Sequence, residues 1–245
     1  MNGLANDKDA PGAAGAGTTA GWFGKLACLG DFASRRLAPE FTQACDAWLS
    51  RCVEASRAQL GERWLDAYLT SPLWRFAWAP GVLDARWWFG VMMPSVDQVG
   101  RYFPLLVAQP CLEAPRSGPD LDRLERWFEQ LADAALATLQ PGATLERFEG
   151  ALAAAPPWQM PTAPRAAQLV IGAPKQWPDR SRHAVPAGMT LAQSLQQVGT
   201  FDTLRRFQGC SVWWPSRPGG NDGSLSVAVG LPAASSFVHL LEGAW

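Results

Sequence analysis

From Pro39 the chain reads PEFTQACDAWLSRCVEASRAQLG, and Phe41, Cys45, Trp48, Leu49, Cys52, Ser56 and Leu60 recur at spacings of three and four. That period lines them along one face and predicts a helix, with Pro39 in its first turn and Gly61 as its cap. ERWLDAYL predicts a second, shorter helix that stops before Ser71-Pro72, because a residue ahead of proline avoids the helical region. The period then changes to two. In LWRFAWAPG, Trp74, Phe76 and Trp78 alternate with Arg75 and Ala77, as a strand with one buried face requires. RWWFGVMMP and YFPLLVAQP are more continuous apolar runs and predict two further strands, Pro104 favouring an edge or a bulge in the second. Between them, PSVDQVGR is a polar connection carrying Ser95, Asp97 and Arg101.

Ahead of these elements, Trp22 to Leu26 is apolar enough for a short strand. Leu29 to Asp31 reads as a turn, Gly30 tolerating positive φ and Asp31 able to bond nearby amides. Downstream, Leu121, Leu124, Trp127, Phe128, Leu131, Ala135 and Leu139 form the apolar stripe of a long helix from Pro119, ended by Pro141-Gly142. TLERFEGALAAA predicts another helix. PPWQMPTAPR, with its cluster of prolines, is a boundary. It divides the chain into an extension at 1–20 expected to be disordered, a unit at 21–155, and a part at 156–245 expected to pack on the same layers. In that last part AQLVIGA predicts a strand, Leu191 to Val198 a helix, CSVWWPSRPGGNDGSLSVAVGL a hairpin turning at Gly219 to Gly223, and Ser235 to Leu241 a final helix. Helices and strands that do not alternate regularly point to an α/β fold, a three-layer αβα sandwich with a mixed sheet.

Composition narrows the function classes. With 21 basic and 22 acidic residues in 245, there is no global charge to draw nucleic acid or anionic lipid. No apolar run reaches the roughly 20 residues that span a bilayer, so the expectation is a cytoplasmic protein without membrane insertion. The five cysteines have neither paired nor C-x-x-C spacing, which argues against disulfides and zinc. Thirteen tryptophans are the outlying feature. In a strand, neighbours point to opposite faces, so Trp87-Trp88 and Trp213-Trp214 each send one indole outward. Either a helical layer covers it, or Trp88 and Trp213 belong to an exposed contact patch for a partner.

Catalytic chemistry is sparse. GWFGKLACLGDF, from Gly21, resembles a phosphate-cradling loop but fails it, since Leu26 stands where Ser or Thr should follow Gly24-Lys25 and Thr19 where the first Gly should be. His183 falls in a Pro-rich, Arg-flanked loop and His239 in an apolar helix, neither at metal-ligand spacing. Ser95 has no histidine placed to activate it. Asp31, Asp84 and Asp97 form no DxD cluster and read as turn caps paired with arginines such as Arg101. No cofactor, metal or catalytic residue is expected.

Taken in order, GWFGKLACLGDF, then FTQACDAWLSRCVEASRAQLGERWLDAYLTSPLWRFAWAPG, then WWFGVMMPSVDQVGRYFPLLVA resemble the TagF family, also called ImpM, associated with the bacterial type VI secretion system. Gly24, Lys25, Leu26, Gly30, Asp31 and Phe32 fit its first motif, Trp74, Arg75 and Phe76 its second, and Met93, Pro94, Ser95, Asp97, Gly100, Arg101, Phe103, Pro104 and Leu105 its third. Ala27 departs from the usual proline, and Gln98 from a common basic residue. The resemblance implies an αβα sandwich and a cytoplasmic accessory protein that acts after translation, generally as a repressor. It also implies partners among secretion proteins, in particular the forkhead-associated scaffold of the threonine-phosphorylation pathway. The phosphatase domain fused to some members is not expected within this sequence, which lacks the metal-binding aspartates that such a domain needs. The polar loops nominate Gly24, Lys25, Leu26, Gly30, Asp31, Phe32, Ser95, Asp97 and Arg101 as partner-binding residues, together with Trp88 and Trp213. A small-ligand or nucleotide-sensing or hydrolytic domain, with its ligand near Lys25 and Arg101, is the alternative.

Overall fold

Among the described residues, hydrogen bonding in a computed structural model orders eight strands into one sheet. It describes residues 19–112, 114–115, 118–158, 180–186, 190, 207–216 and 222–245. The strands are β1 (Gly21–Gly24), β2 (Ala33–Arg35), β3 (Leu73–Trp78), β4 (Trp87–Met93), β5 (Leu105–Cys111), β6 (Arg180–Pro186), β7 (Cys210–Ser216) and β8 (Asp222–Val229). Their spatial order is β2-β1-β5-β4-β3-β7-β8-β6. Every strand pair is antiparallel, which corrects the expectation of a mixed sheet. The reason lies in the connections: β3 to β4 and β4 to β5 are joined by loops too short for a crossover, so each strand returns beside its predecessor.

The helices fall on the two faces and make the αβα sandwich. Helices α1 (Pro39–Leu60), α2 (Trp64–Thr70) and α5 (Phe237–Leu241) cover one side, and α3 (Gly118–Ala137) and α4 (Leu145–Ala154) the other. The α1 stripe of Phe41, Cys45, Trp48, Leu49, Cys52, Ser56 and Leu60 is buried as its period requires. A short 3-10 turn at Gly61–Arg63 starts the second helix, and Thr144 caps α4 by accepting a hydrogen bond from the Arg147 amide.

Strand alternation sorts the aromatic residues. Trp74, Phe76 and Trp78 face α1, whereas Leu73 and Ala77 face α3. Trp88 stacks on Phe41 with ring centroids 3.7 Å apart, while Trp87 lies on the other face against Phe89. Trp213 packs among Trp48, Phe76 and Trp78, and Trp214 sits edge-on to Phe128 of α3. Trp88 and Trp213 are 2% and 0% exposed, so the contact-patch reading of these indoles is corrected: helical layers cover both faces.

Four local readings change. Pro104 sits just ahead of β5, which is an interior strand, so its missing N–H removes no ladder bond. The three-residue edge strand β2 carries too little pattern to be recognised from sequence. His183 lies in β6 rather than in a loop. Asp222 and Gly223 already belong to β8, which shortens the expected turn. Residues 1–18, AQLVIGA and the helix expected at Leu191 to Val198 lie outside the described residues.

Candidate functional site

Two loops at one end of the sheet close on each other: the one that follows β1 and the one that joins β4 to β5. β1 ends at Gly24, whose φ of 132° and position against the Pro104 carbonyl oxygen, 2.1 Å from an added Cβ, admit only glycine. The chain therefore turns inward, and Lys25 and Leu26 are buried behind it. The Ser95 hydroxyl donates to the Lys25 carbonyl at 2.7 Å. Tyr68 of α2 locks Ser95 from the other side, its hydroxyl donating to the Ser95 carbonyl and accepting from the Ser95 amide, both at 3.0 Å. Burial pushes the Tyr68 phenol above its ordinary range, with the Ser95 contact and Arg57 offsetting part of the effect.

The centre of the arrangement is Asp97. Its Oδ2 accepts from the Lys25 ammonium and, at 2.7 Å, from Arg101 Nε. Its Oδ1 accepts from the backbone amides of Val99 at 3.1 Å and Arg101 at 2.8 Å. Both carboxylate oxygens are thus saturated. Burial alone would raise the Asp97 pKa, but the Lys25 hydrogen bond and those of the Arg101 amide and guanidinium prevail and hold it well below the carboxylate range. The turn is closed by Gly100, whose amide donates to the Asp97 carbonyl and whose φ of 85° suits glycine, and by the Asp97 amide donating to Arg101. Gln98 then ties the two loops, its amide donating to the Leu29 carbonyl at 2.8 Å.

Arg101 continues outward from this centre. Its guanidinium donates to the Gly30 carbonyl and lies 3.7 Å from Asp31, which is solvent-exposed. The Phe32 ring covers Lys25, with Nζ 4.8 Å from the ring centroid, and meets Phe103 edge-on at 4.7 Å. Phe32 remains 45% exposed and Val99 68%.

The loops therefore bring together most of the residues that their sequences nominate, but not as a recognition surface throughout. Lys25 and Asp97 are each 3% exposed, and Leu26 and Ser95 are buried with them, so their exposure is corrected. They fasten the loops. Asp31, Phe32 and Arg101 form the outer rim, Gly30 supplies a carbonyl and does not take the left-handed conformation, and Trp88 and Trp213 are buried in the core beneath α1 and take no part in the loops. Sequence reasoning missed Tyr68, and it placed Phe103 in the third motif without nominating it for the site. Tyr68 carried only its place on a helix face.

At the β2 edge, Glu149 of α4 accepts from Trp22 Nε1 at 2.6 Å and Arg36 Nη1 at 2.5 Å. Arg36 is held with φ of 60°, and its Nε donates to the Ala20 carbonyl. Burial would raise Glu149, and the Arg36 and Trp22 bonds lower it instead. This cluster pins α4 to the sheet and leaves no reactive group free. Among the described residues no group of three or more His, Cys, Asp or Glu side chains could hold a metal, and no helix is long and apolar enough to cross a membrane.

Comparison with known proteins gives a consistent answer. Residues 21–155 match the family described as TagF N-terminal domain, Type VI secretion system-associated. A solved structure, PA0076 from Pseudomonas aeruginosa PAO1, is similar with 40% sequence identity and a TM-score of 0.67, over 92% of this chain and 94% of that one. No curated protein matches the sequence.

Proposed function

Because the chain belongs to the TagF family of type VI secretion system-associated proteins, we propose that it is a post-translational regulator of that system, a repressor that works by protein contact in the cytoplasm without chemistry of its own. Its partner is a secretion protein, in the first place the forkhead-associated scaffold. The observation that carries this reading is the inward commitment of the motif's charges. Lys25 and Asp97 satisfy each other, Ser95 donates to a backbone carbonyl, and what the loops offer outward is a rim of fixed side chains suited to recognition. The ligand-sensing reading loses support for the same reason, since the Lys25 cation it would use is already covered by Phe32 and paired with Asp97.

The test is co-purification with the scaffold, comparing the wild type with a folded Asp31→Ala/Phe32→Ala variant, beside a secretion assay on a deletion strain. Capture by the wild type, loss in the variant and raised secretion on deletion are the expected results. If the wild type captures nothing and deletion leaves secretion unchanged, the regulator reading is wrong. A reproducible gain in Tm on screening nucleotides and metals would favour the ligand reading instead.

A further inference from the structure

We propose that the rim formed by Asp31, Phe32, Val99 and Arg101 is a docking face for a second copy of this chain, related to the first by a two-fold axis. This inference uses the same rim that the regulator reading offers to a secretion protein, so the two partners compete for Asp31 and Phe32, and self-association of the purified chain alone tests it independently of that reading.

Three observations lead to it. First, the rim is rigid. The bonds from Gln98 to Leu29, Arg101 to Gly30 and Ser95 to Lys25, with the Asp97 centre beneath, fix both loops before anything binds. A face ordered in advance loses little entropy on association. Second, it exposes apolar area where polar side chains would cost the fold nothing. Val99 is at the tip of a turn with its amide engaged and its side chain outward, and Phe32 shows nearly half its surface. Third, the charges are self-complementary. An acid and a base stand side by side, Asp31 accepting from the Phe32 amide at 2.8 Å and lying 3.7 Å from Arg101, while the inner Lys25–Asp97 pair is neutral. A rim of no net charge that carries one group of each sign matches itself when rotated by half a turn. Arg101 then meets Asp31 of the other copy, the reciprocal contact forms too, and Phe32 and Val99 fill the centre. A strongly acidic or basic partner finds no such match.

Static or dynamic light scattering with chromatography, or sedimentation, between about 10 μM and 500 μM covers the range in which a small interface titrates. The expected result is a mass rising from that of the 26.5 kDa chain toward twice that value. Val99→Asp and Asp31→Arg should each weaken association about ten-fold or more, by burying a charge or by setting like charges opposite each other, with urea midpoints close to wild type. Val99→Cys should cross-link between copies through a short bis-maleimide. A wild type that stays monomeric over the whole range overturns the proposal. So does a dimer that survives both charge substitutions, because its interface is then elsewhere.

Discussion

Lys25 and Asp97, 72 residues apart in sequence, meet as an ion pair enclosed between two loops, and Arg101 shares the same carboxylate oxygen from outside. An enclosed pair behaves asymmetrically on mutation: removing one partner strands the other, while replacing both with apolar residues is tolerated. Lys25→Met should therefore lower Tm by roughly 6–20 °C. The double variant Lys25→Met/Asp97→Leu should recover part of that loss, which thermal unfolding followed by circular dichroism reads directly. Additive losses would mean that the two side chains do not interact.

The same carboxylate sets an acid dependence. Asp97 is depressed in the folded state relative to its unfolded value near ~3.9. The unfolded chain therefore binds the extra proton first as pH falls, and the contribution of Asp97, complete above that value, is lost below it. Tm of the wild type should fall steeply below about pH 4. Asp97→Asn, which cannot titrate, should be less stable at pH 7 but show a shallower slope. The depressed Asp84 and Glu149 leave it some slope. Identical slopes in the two proteins would remove Asp97 from the account.

Two motif glycines should behave oppositely. A methyl group at Gly24 would meet the Pro104 carbonyl oxygen in a backbone conformation that other residues avoid, whereas at Gly30 nothing lies within 4 Å. Gly24→Ala should cost about 2–4 kcal/mol in urea unfolding, and Gly30→Ala less than about 0.5 kcal/mol. Comparable losses at both would show that the loop is held by something other than this close approach.

Thiol labelling should follow burial. Cys45 and Cys52 lie on the covered face of α1, where burial pushes Cys52 up to about 12 and Cys45 higher still. Cys210 is also buried, and Cys28 and Cys111 are half-buried. Mass spectrometry after brief exposure to a maleimide should find label on Cys28 and Cys111 first. Native labelling of Cys45 or Cys52 would indicate that α1 opens.

Periodicity made α1, β3, β4 and α3 legible, because each has enough residues for a face to repeat. The β2 strand was not, and neither was the antiparallel order of the whole sheet, since strand direction follows from which connections cross and not from any strand's own pattern. At the site, glycine and carboxylate identities marked the right loops, and Asp97 with Arg101 was readable from a spacing of four. The burial of Lys25 was not. Lysine normally signals solvent, and only the approach of Gly24 to Pro104, made across the sheet, turns it inward.

The junction of β3 with β7 has a consequence for synthesis. Residues 21–155 leave the ribosome before Cys210–Ser216 is made, a gap of several seconds at about 5–20 residues per second. During that interval Leu73–Trp78 has an open hydrogen-bonding edge, and Trp48 and Trp78 lack the indole of Trp213 that will pack against both. For that time the edge and the aromatic face beside it stay open, and the protein closes both later with its own strand β7.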